Sequence, residues 1–126
     1  MSALAAVNVP LLASFSALVT PPDAVQLKGV LALQDPGRVL SPFFAALHEA
    51  VQKDGLSEVS VDVRQLTFVN SSAIRLFVDW ATRLSNADLA ERYVVRFRTD
   101  RRITWQRTSF LVLQSLAPGA IVIDSE

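Results

Sequence analysis

A change of hydrophobic period near the middle of the chain restricts the folds that this sequence can adopt. Val59, Val61 and Val63 alternate with polar residues, which is the pattern of a strand with one apolar face. Further on, the apolar residues recur at helical spacing, and this stripe consists of Ile74, Phe77, Val78, Ala81 and Leu84. The sequence therefore predicts a strand over Glu58–Arg64 and a helix over Ser71–Asn86.

The short polar segment between these two elements marks the start of the helix. Asn70, Ser71 and Ser72 are all residue types that accept hydrogen bonds from the free N–H groups of a first helical turn. One of the three is the predicted N-cap. A regulatory site is expected at this junction, because it is a polar turn between a buried strand and a buried helix.

The other elements follow from apolar runs and turn residues. The further predicted strands are Phe15–Thr20, Val25–Gln34, Tyr93–Arg98 and Ala120–Ile123, and the further helices are Ser41–Gly55 and Arg101–Leu116. In the first of these helices Ser41 is the predicted cap, Pro42 the first helical residue and Gly55 the stop signal. Gly29 interrupts its strand and predicts a bulge or a close backbone contact.

The resulting element order is β-β-α-β-α-β-α-β. Helical crossovers between successive strands give parallel pairing in the later part of the sheet. The alternating valines indicate that only one face of the sheet is covered, since a sheet buried on both faces would read as a continuous apolar run. The predicted fold is α/β, with an open four- or five-stranded mixed sheet and helices mainly on one face.

The segment V-D-V-R-Q-L-T-F-V-N-S-S-A-I at residues 61–74 resembles the conserved segment of the STAS domain, which is found in sulfate transporters and bacterial anti-sigma-factor antagonists. The order of elements over residues 14–123 also agrees with that family. The resemblance implies one STAS-like domain over residues 1–126, with residues 1–13 as a candidate N-terminal arm.

The first of the two adjacent serines is the phosphoacceptor in many antagonists of this family. The resemblance therefore implies Ser71 as the phosphoacceptor, with Ser72 as the second choice. The sequence departs from the family at two positions: Asn70 stands where Asp is usual, and Ala73 stands where Gly is usual. Asn keeps hydrogen bonding but removes a negative charge next to the serine.

The predicted partner-binding residues are Asn70, Ser71, Ser72 and Ala73 in the turn and Leu76 and Trp80 in the helix. Leu76 and Trp80 are four residues apart and lie off the main apolar stripe, so an exposed apolar pair is one interpretation. The other interpretation is a helix that is buried over a broad face.

The resemblance implies a non-catalytic, cytoplasmic bacterial regulator that binds a partner protein under the control of Ser71. In the family, that partner is commonly an anti-sigma factor that is also a serine kinase. The alternative hypothesis is a STAS-like subunit that docks constitutively on a transporter ATPase or in a signalling assembly. A homodimer is left open by the sequence.

Composition argues against several other classes of function. The 12 basic and 12 acidic residues cancel, and Arg96 and Arg98 alternate with apolar residues as on the solvent face of a strand, so no nucleic-acid partner is predicted. The chain has no cysteine, and its single histidine, His48, is predicted to be structural. No catalytic residue, metal site or cofactor is predicted.

The apolar N-terminal segment is not predicted to enter a membrane. No basic residue precedes Lys28, whereas a signal peptide begins with a basic region. Asn8, Pro10 and Ser14 also interrupt the segment before it reaches the ~20 apolar residues that span a bilayer. The expected role of the arm is to cover a sheet edge or to contact a partner.

Overall fold

The computed structural model describes residues 2–10, 12, 14–32, 34, 36–88 and 91–125. The strands are β1 (Phe15–Thr20), β2 (Ala24–Leu31), β3 (Glu58–Val69), β4 (Val94–Thr99) and β5 (Ile121–Ser125). The helices are α1 (Pro36–Lys53), α2 (Ser71–Asn86) and α3 (Thr104–Leu116), and a short 3₁₀ helix spans Leu4–Ala6.

The five strands form one mixed sheet in the order β1-β2-β3-β4-β5. β1 pairs with β2 antiparallel, and the remaining neighbours pair parallel. Each helix follows one parallel strand and precedes the next, so right-handed crossovers bring all three helices to the same face. The predicted mixed sheet with helices on one face is confirmed.

The core lies between this helical layer and the inner face of the sheet. α2 is the central helix and packs against both α1 and α3. The buried residues at the centre include Leu47, Val61, Phe77, Phe97 and Phe110. The outer face of the sheet carries half-buried polar groups, among them Arg96, which bonds Glu58 at 3.1 Å and Asp124 at 3.2 Å. Among the helices of the described residues, none is long and apolar enough to span a bilayer.

α1 begins at Pro36, so the predicted start at Ser41-Pro42 is wrong and Pro42 lies inside the helix. The sequence offers two starts with a proline in the first turn, and the structure uses the earlier one. The additional turn buries Leu40 completely. Burial of a leucine stabilises the fold by about 1.5–3 kcal/mol. This offsets much of the free-energy cost of Pro42, which cannot donate a backbone hydrogen bond inside the helix. Asp35, the residue before this start, lies outside the described residues.

Gly29 lies at a bulge and a close backbone contact, as predicted. The register between β2 and β3 shifts on both sides of it, and its φ is +106°. The Val30 N–H donates to Ser14 O at 2.8 Å, which brings the preceding segment against β2. A Cβ on Gly29 would fall on Ser14 O, so only glycine fits.

The N-terminal arm packs against the end of α1 and against β1. The Asp54 carboxylate accepts hydrogen bonds from the Ala3 N–H at 2.7 Å and from the Leu4 N–H and the Ser2 hydroxyl at 3.0 Å. These bonds, first of all those from the two backbone N–H groups, lower the pKa of Asp54. The Leu4 side chain is fully buried, so the arm adds to the core.

A buried polar chain links α1, α2 and the start of β4. Trp80 Nε1 donates to the Tyr93 hydroxyl at 2.7 Å, and that hydroxyl lies 2.8 Å from His48 Nδ1. Since a tyrosine has one proton to donate, all groups are paired when Tyr93 donates to an unprotonated His48 Nδ1. Burial lowers the pKa of His48, and the positive charge of Arg83 lowers it further. Burial raises the pKa of Tyr93.

Gly29→Ala is expected to reduce the free energy of unfolding by at least about 2 kcal/mol, because the new methyl group meets Ser14 O and the backbone has positive φ. Gly55→Ala is the matched control: its φ is +64°, but its Cβ would enter open space, so a loss of about 1 kcal/mol is expected. Urea denaturation measures both values. Equal losses would contradict a steric requirement at Gly29.

Acidification from about pH 7 to pH 5 is expected to destabilise the protein through His48. Its pKa is lowered on folding, so the unfolded chain takes up a proton that the folded state resists. The contribution of His48 to stability is therefore present above the pKa of His48 in the unfolded chain, and it is lost as the pH falls below that pKa toward the lower pKa of the folded state. His48→Asn, which keeps a polar atom near Tyr93, is expected to flatten this part of the stability curve. Urea midpoints measured across the range provide the test, and an unchanged slope would contradict it.

Candidate functional site

The junction of β3 and α2 is held rigidly by its first residue. The Asn70 N–H donates to Leu31 O at the end of β2 at 2.8 Å. The Asn70 side-chain oxygen accepts the Ala73 N–H at 2.9 Å, and its backbone oxygen accepts the Ile74 N–H at 3.0 Å. Asn70 has extended backbone geometry, with ψ 171°, and is the N-cap of α2.

Ser71 and Ser72 are the first two residues of α2, and both are exposed. Within the described part of the chain, neither hydroxyl has a hydrogen-bond partner. Of the three residues that the sequence offers as the N-cap, Asn70 is the one that caps α2 in the structure. The two serines are therefore accessible hydroxyl groups that the fold does not use.

The charge around these serines favours an added anion. The first turn of α2 contains no acidic residue, so the partial positive charge of the helix N-terminus is uncompensated by a side chain. Arg75 is exposed and lies four residues after Ser71, the spacing at which side chains on a helix are neighbours. A phosphate on Ser71 would be stabilised by both features.

Three of the predicted partner-binding residues do not lie on the surface. Ala73 is completely buried, and Leu76 and Trp80 are each 5% exposed. Of the two interpretations of Leu76 and Trp80, the exposed pair is therefore wrong, and the helix buried over a broad face is the one that the structure shows. As the central helix, α2 contacts α1, α3 and the sheet, so its buried face is broader than one stripe. The Ala73 methyl group is part of this packing.

Sequence analysis missed an exposed aromatic residue that shortly precedes the serines in the chain. Phe68 lies three residues before Ser71, and its side chain is 48% exposed. The alternation that identifies β3 stops at Val63, because β3 has extra residues relative to β2 beyond that point. Gly29 indicates a bulge but does not show which residues of β3 are shifted by it, so the orientation of Phe68 was not predictable from periodicity.

The last part of β3 extends past β4 and is held by side chains of α3. Among the described residues, β4 pairs with Glu58–Asp62, and no strand of the described part of the chain pairs with later residues of β3 on that side. The buried Gln106 amide donates to Val63 O and to Leu66 O, the latter at 2.9 Å. Trp105 Nε1 donates to Thr67 O at 2.8 Å. These side chains replace a missing strand and position the segment that leads to Ser71.

The loop before α3 adds an ion pair close to this end of the sheet. Arg102 Nη2 lies 2.8 Å from Asp100 Oδ2, and the Arg102 N–H donates to the same carboxylate at 2.9 Å. These hydrogen bonds, the side-chain bond first, lower the pKa of Asp100 to about 2. Asp100 therefore stays ionised at neutral pH. Over the described residues, no group of three or more His, Cys, Asp or Glu side chains is placed to hold a metal ion.

Asn70→Ala is expected to reduce the free energy of unfolding by about 1 kcal/mol, because the Ala73 N–H loses its acceptor. Ser71→Ala and Ser72→Ala serve as controls and are expected to change it by less than about 0.5 kcal/mol. Urea denaturation followed by circular dichroism compares the three variants. A loss with Ser71→Ala as large as that with Asn70→Ala would contradict the assignment of the cap.

A comparison with solved structures agrees with this architecture. No protein-family model matches the chain, and no curated protein matches it. Among solved structures, it matches a chain in the crystal structure of the diguanylate cyclase SiaD in complex with its activator SiaC from Pseudomonas aeruginosa. The match, to SiaC, has a TM-score of 0.60 at 13% identity and covers 90% of this chain and 93% of that chain. The chain has a STAS-like α/β fold, and this likeness shows the fold alone.

Proposed function

We propose that this chain is a non-catalytic regulatory protein that binds a partner protein through the β3–α2 junction, and that phosphorylation of Ser71 controls this binding. One observation carries the proposal: the Ser71 hydroxyl is exposed and unused at the start of a helix that Asn70 already caps. A phosphate can therefore be added without removing a bond on which the fold depends.

The contacting surface of this proposal differs from the one that the sequence suggested. It consists of Phe68, Asn70, Ser71 and Ser72, with Phe68 replacing the buried Leu76 and Trp80 as the apolar contact. An exposed aromatic ring three residues before a modifiable hydroxyl combines an energetic anchor with a means of control. A phosphate on Ser71, three residues from Phe68, would weaken the binding of a partner that packs tightly over both residues.

Two kinds of partner are consistent with what the chain is similar to. The STAS resemblance supports a serine kinase that is also an anti-sigma factor. The structural neighbour SiaC is described as the activator of a diguanylate cyclase and supports an enzyme as partner. In both cases the chain would regulate a protein in the cytoplasm rather than perform chemistry.

The experiment compares tagged wild-type protein with Ser71→Ala and Ser71→Asp, captured from its native cells and followed by peptide mass spectrometry. We expect Ser71→Asp to lower partner recovery by about tenfold, equivalent to about 1.4 kcal/mol, and Ser71→Ala to retain binding. Phosphate on Ser71 is expected in the free pool and not in the partner-bound pool. Ser72→Asp, with the same charge one position later, is the matched control and is expected to have the smaller effect.

A stability measurement separates lost binding from lost structure. An acidic residue in the first turn of α2 interacts favourably with the helix dipole, so Ser71→Asp is expected to stabilise the folded protein by about 0.3–1 kcal/mol. Destabilisation would show that Ser71→Asp acts through the fold. Unchanged partner recovery with both Ser71 variants would contradict the switch and would favour constitutive docking, for example on a transporter ATPase.

A further inference from the structure

The Tyr93 hydroxyl lies at the centre of the buried polar chain that links α1, α2 and the start of β4. The Trp80 indole N–H donates to it at 2.7 Å, and His48 Nδ1 lies 2.8 Å from it. Each of these three residues is at most 7% exposed. Over the described residues, the hydroxyl has no other hydrogen-bond partner. His48 Nδ1 is therefore the one acceptor for the Tyr93 hydroxyl proton in this part of the chain.

A positive charge on His48 removes that acceptor. In the neutral state Tyr93 donates to Nδ1, and the ring proton of His48 is on Nε2. The charged ring carries a proton on Nδ1 as well, so the Tyr93 oxygen then faces two donors, this one and the Trp80 indole. An indole N–H accepts no hydrogen bond, so the Tyr93 hydroxyl proton is left unpaired in a buried position. The closed arrangement is consequently disfavoured when His48 is protonated.

The other edge of the His48 ring borders a cleft of about 530 Å³ between α1 and the C-terminal half of α2. Nε2 has no hydrogen-bond partner, and no buried side-chain nitrogen or oxygen of the described residues lacks one, so Nε2 reaches solvent in the cleft. The charged groups that act on the ring are Arg83 of α2, Glu49 of α1 and Glu91 of the α2–β4 loop, and Asp79 of α2 also lines the cleft. Burial and then Arg83 lower the pKa of His48, and together they outweigh the two glutamates.

The segment that ends at Tyr93 is attached to the helices by exposed contacts. Gln52 Nε2 donates to Glu91 O at 3.5 Å, and the Arg92 guanidinium donates to backbone oxygens at the end of α2. The sheet begins directly after Tyr93, where the Val94 N–H donates to the residue before β3 at 2.9 Å. Displacement of Tyr93 therefore leaves β4 paired, and such a local opening costs less free energy than unfolding of the whole domain.

We propose that the Trp80–Tyr93–His48 chain is a proton-sensitive switch, in which transfer of a proton from water to His48 Nδ1 displaces the Tyr93 hydroxyl toward solvent and opens the α2–β4 loop. The closed form binds this proton less well than the open form, so the open fraction rises as the pH falls below about 6.5. One proton raises the ratio of open to closed forms by at most about tenfold for each pH unit. The switch is independent of Ser71, since the cleft lies along the other half of α2.

The test follows hydrogen–deuterium exchange by NMR between about pH 7.5 and pH 5.5, with each rate divided by that of the same group in an unstructured peptide. The Trp80 indole N–H loses its acceptor when the switch opens, whereas the Trp105 indole N–H donates to a backbone oxygen of β3 and is the internal reference. The amide of Val61, at the centre of the sheet, reports unfolding of the whole domain. We expect protection of the Trp80 indole to fall about three- to tenfold over this range, to stay below that of Val61, and to leave Trp105 unchanged. Equal protection of Trp80 and Val61, or an equal fall for both indoles, would overturn the proposal.

Variants separate the histidine charge from the tyrosine hydroxyl. His48→Asn offers Tyr93 an acceptor that does not titrate, so it is expected to abolish the pH dependence of Trp80 protection. Tyr93→Phe removes the hydroxyl that protonation leaves unpaired and is expected to weaken that dependence. Arg83→Gln is expected to move the response to higher pH, and Glu91→Gln, its counterpart of opposite charge, to lower pH. A response that persists in His48→Asn, or that is as large in Tyr93→Phe as in the wild type, would show that the proposal is wrong.

Discussion

The overhang of β3 is the constraint on which the geometry of the candidate site depends. A strand that extends beyond its neighbour leaves backbone oxygens that are shielded from water and need hydrogen bonds. Here the Gln106 side chain donates two of these hydrogen bonds, and the Trp105 side chain donates a third. The Gln106 side-chain oxygen in turn accepts the Asp100 N–H at 3.0 Å, so the loop before α3 is tied to the same structure. β3, α3 and the loop between β4 and α3 therefore form one hydrogen-bonded unit.

This arrangement presents the β3–α2 junction as a rigid projection rather than as a mobile loop. β2 fixes it on one side through the bond between Asn70 and Leu31, and α3 fixes it on the other. A surface that is ordered before binding loses little conformational entropy when a partner docks, which favours affinity. It also means that a modification at Ser71 acts on the electrostatics of a fixed surface, since the cap that begins α2 is made by a different residue.

The sequence predicted the sheet and the position of this junction because both depend on local patterns. Alternating valines, the helical stripe and polar capping residues are short-range signals, and the structure places β3 and α2 accordingly. The exposure of Phe68 and the burial of Trp80 depend on distant partners. Bulges against β2 turn Phe68 outward, and the central position of α2 covers Trp80, which bonds Tyr93. Neither effect is encoded in the spacing of nearby residues.

The structure also gives a physical meaning to Ala73 and Asn70, the two positions at which residues 61–74 differ from the STAS segment that they resemble. Ala73 fills core space, which a glycine would leave empty. Asn70 performs the capping that an aspartate would also perform, but it does so without charge. The unmodified start of α2 is consequently free of acidic side chains at the cap and in the first turn. A phosphate on Ser71 would add a charge near −2 to a surface that has no acidic side chain, whereas an aspartate at the cap would already contribute one negative charge there. The asparagine thus increases the electrostatic contrast between the two states of the proposed switch.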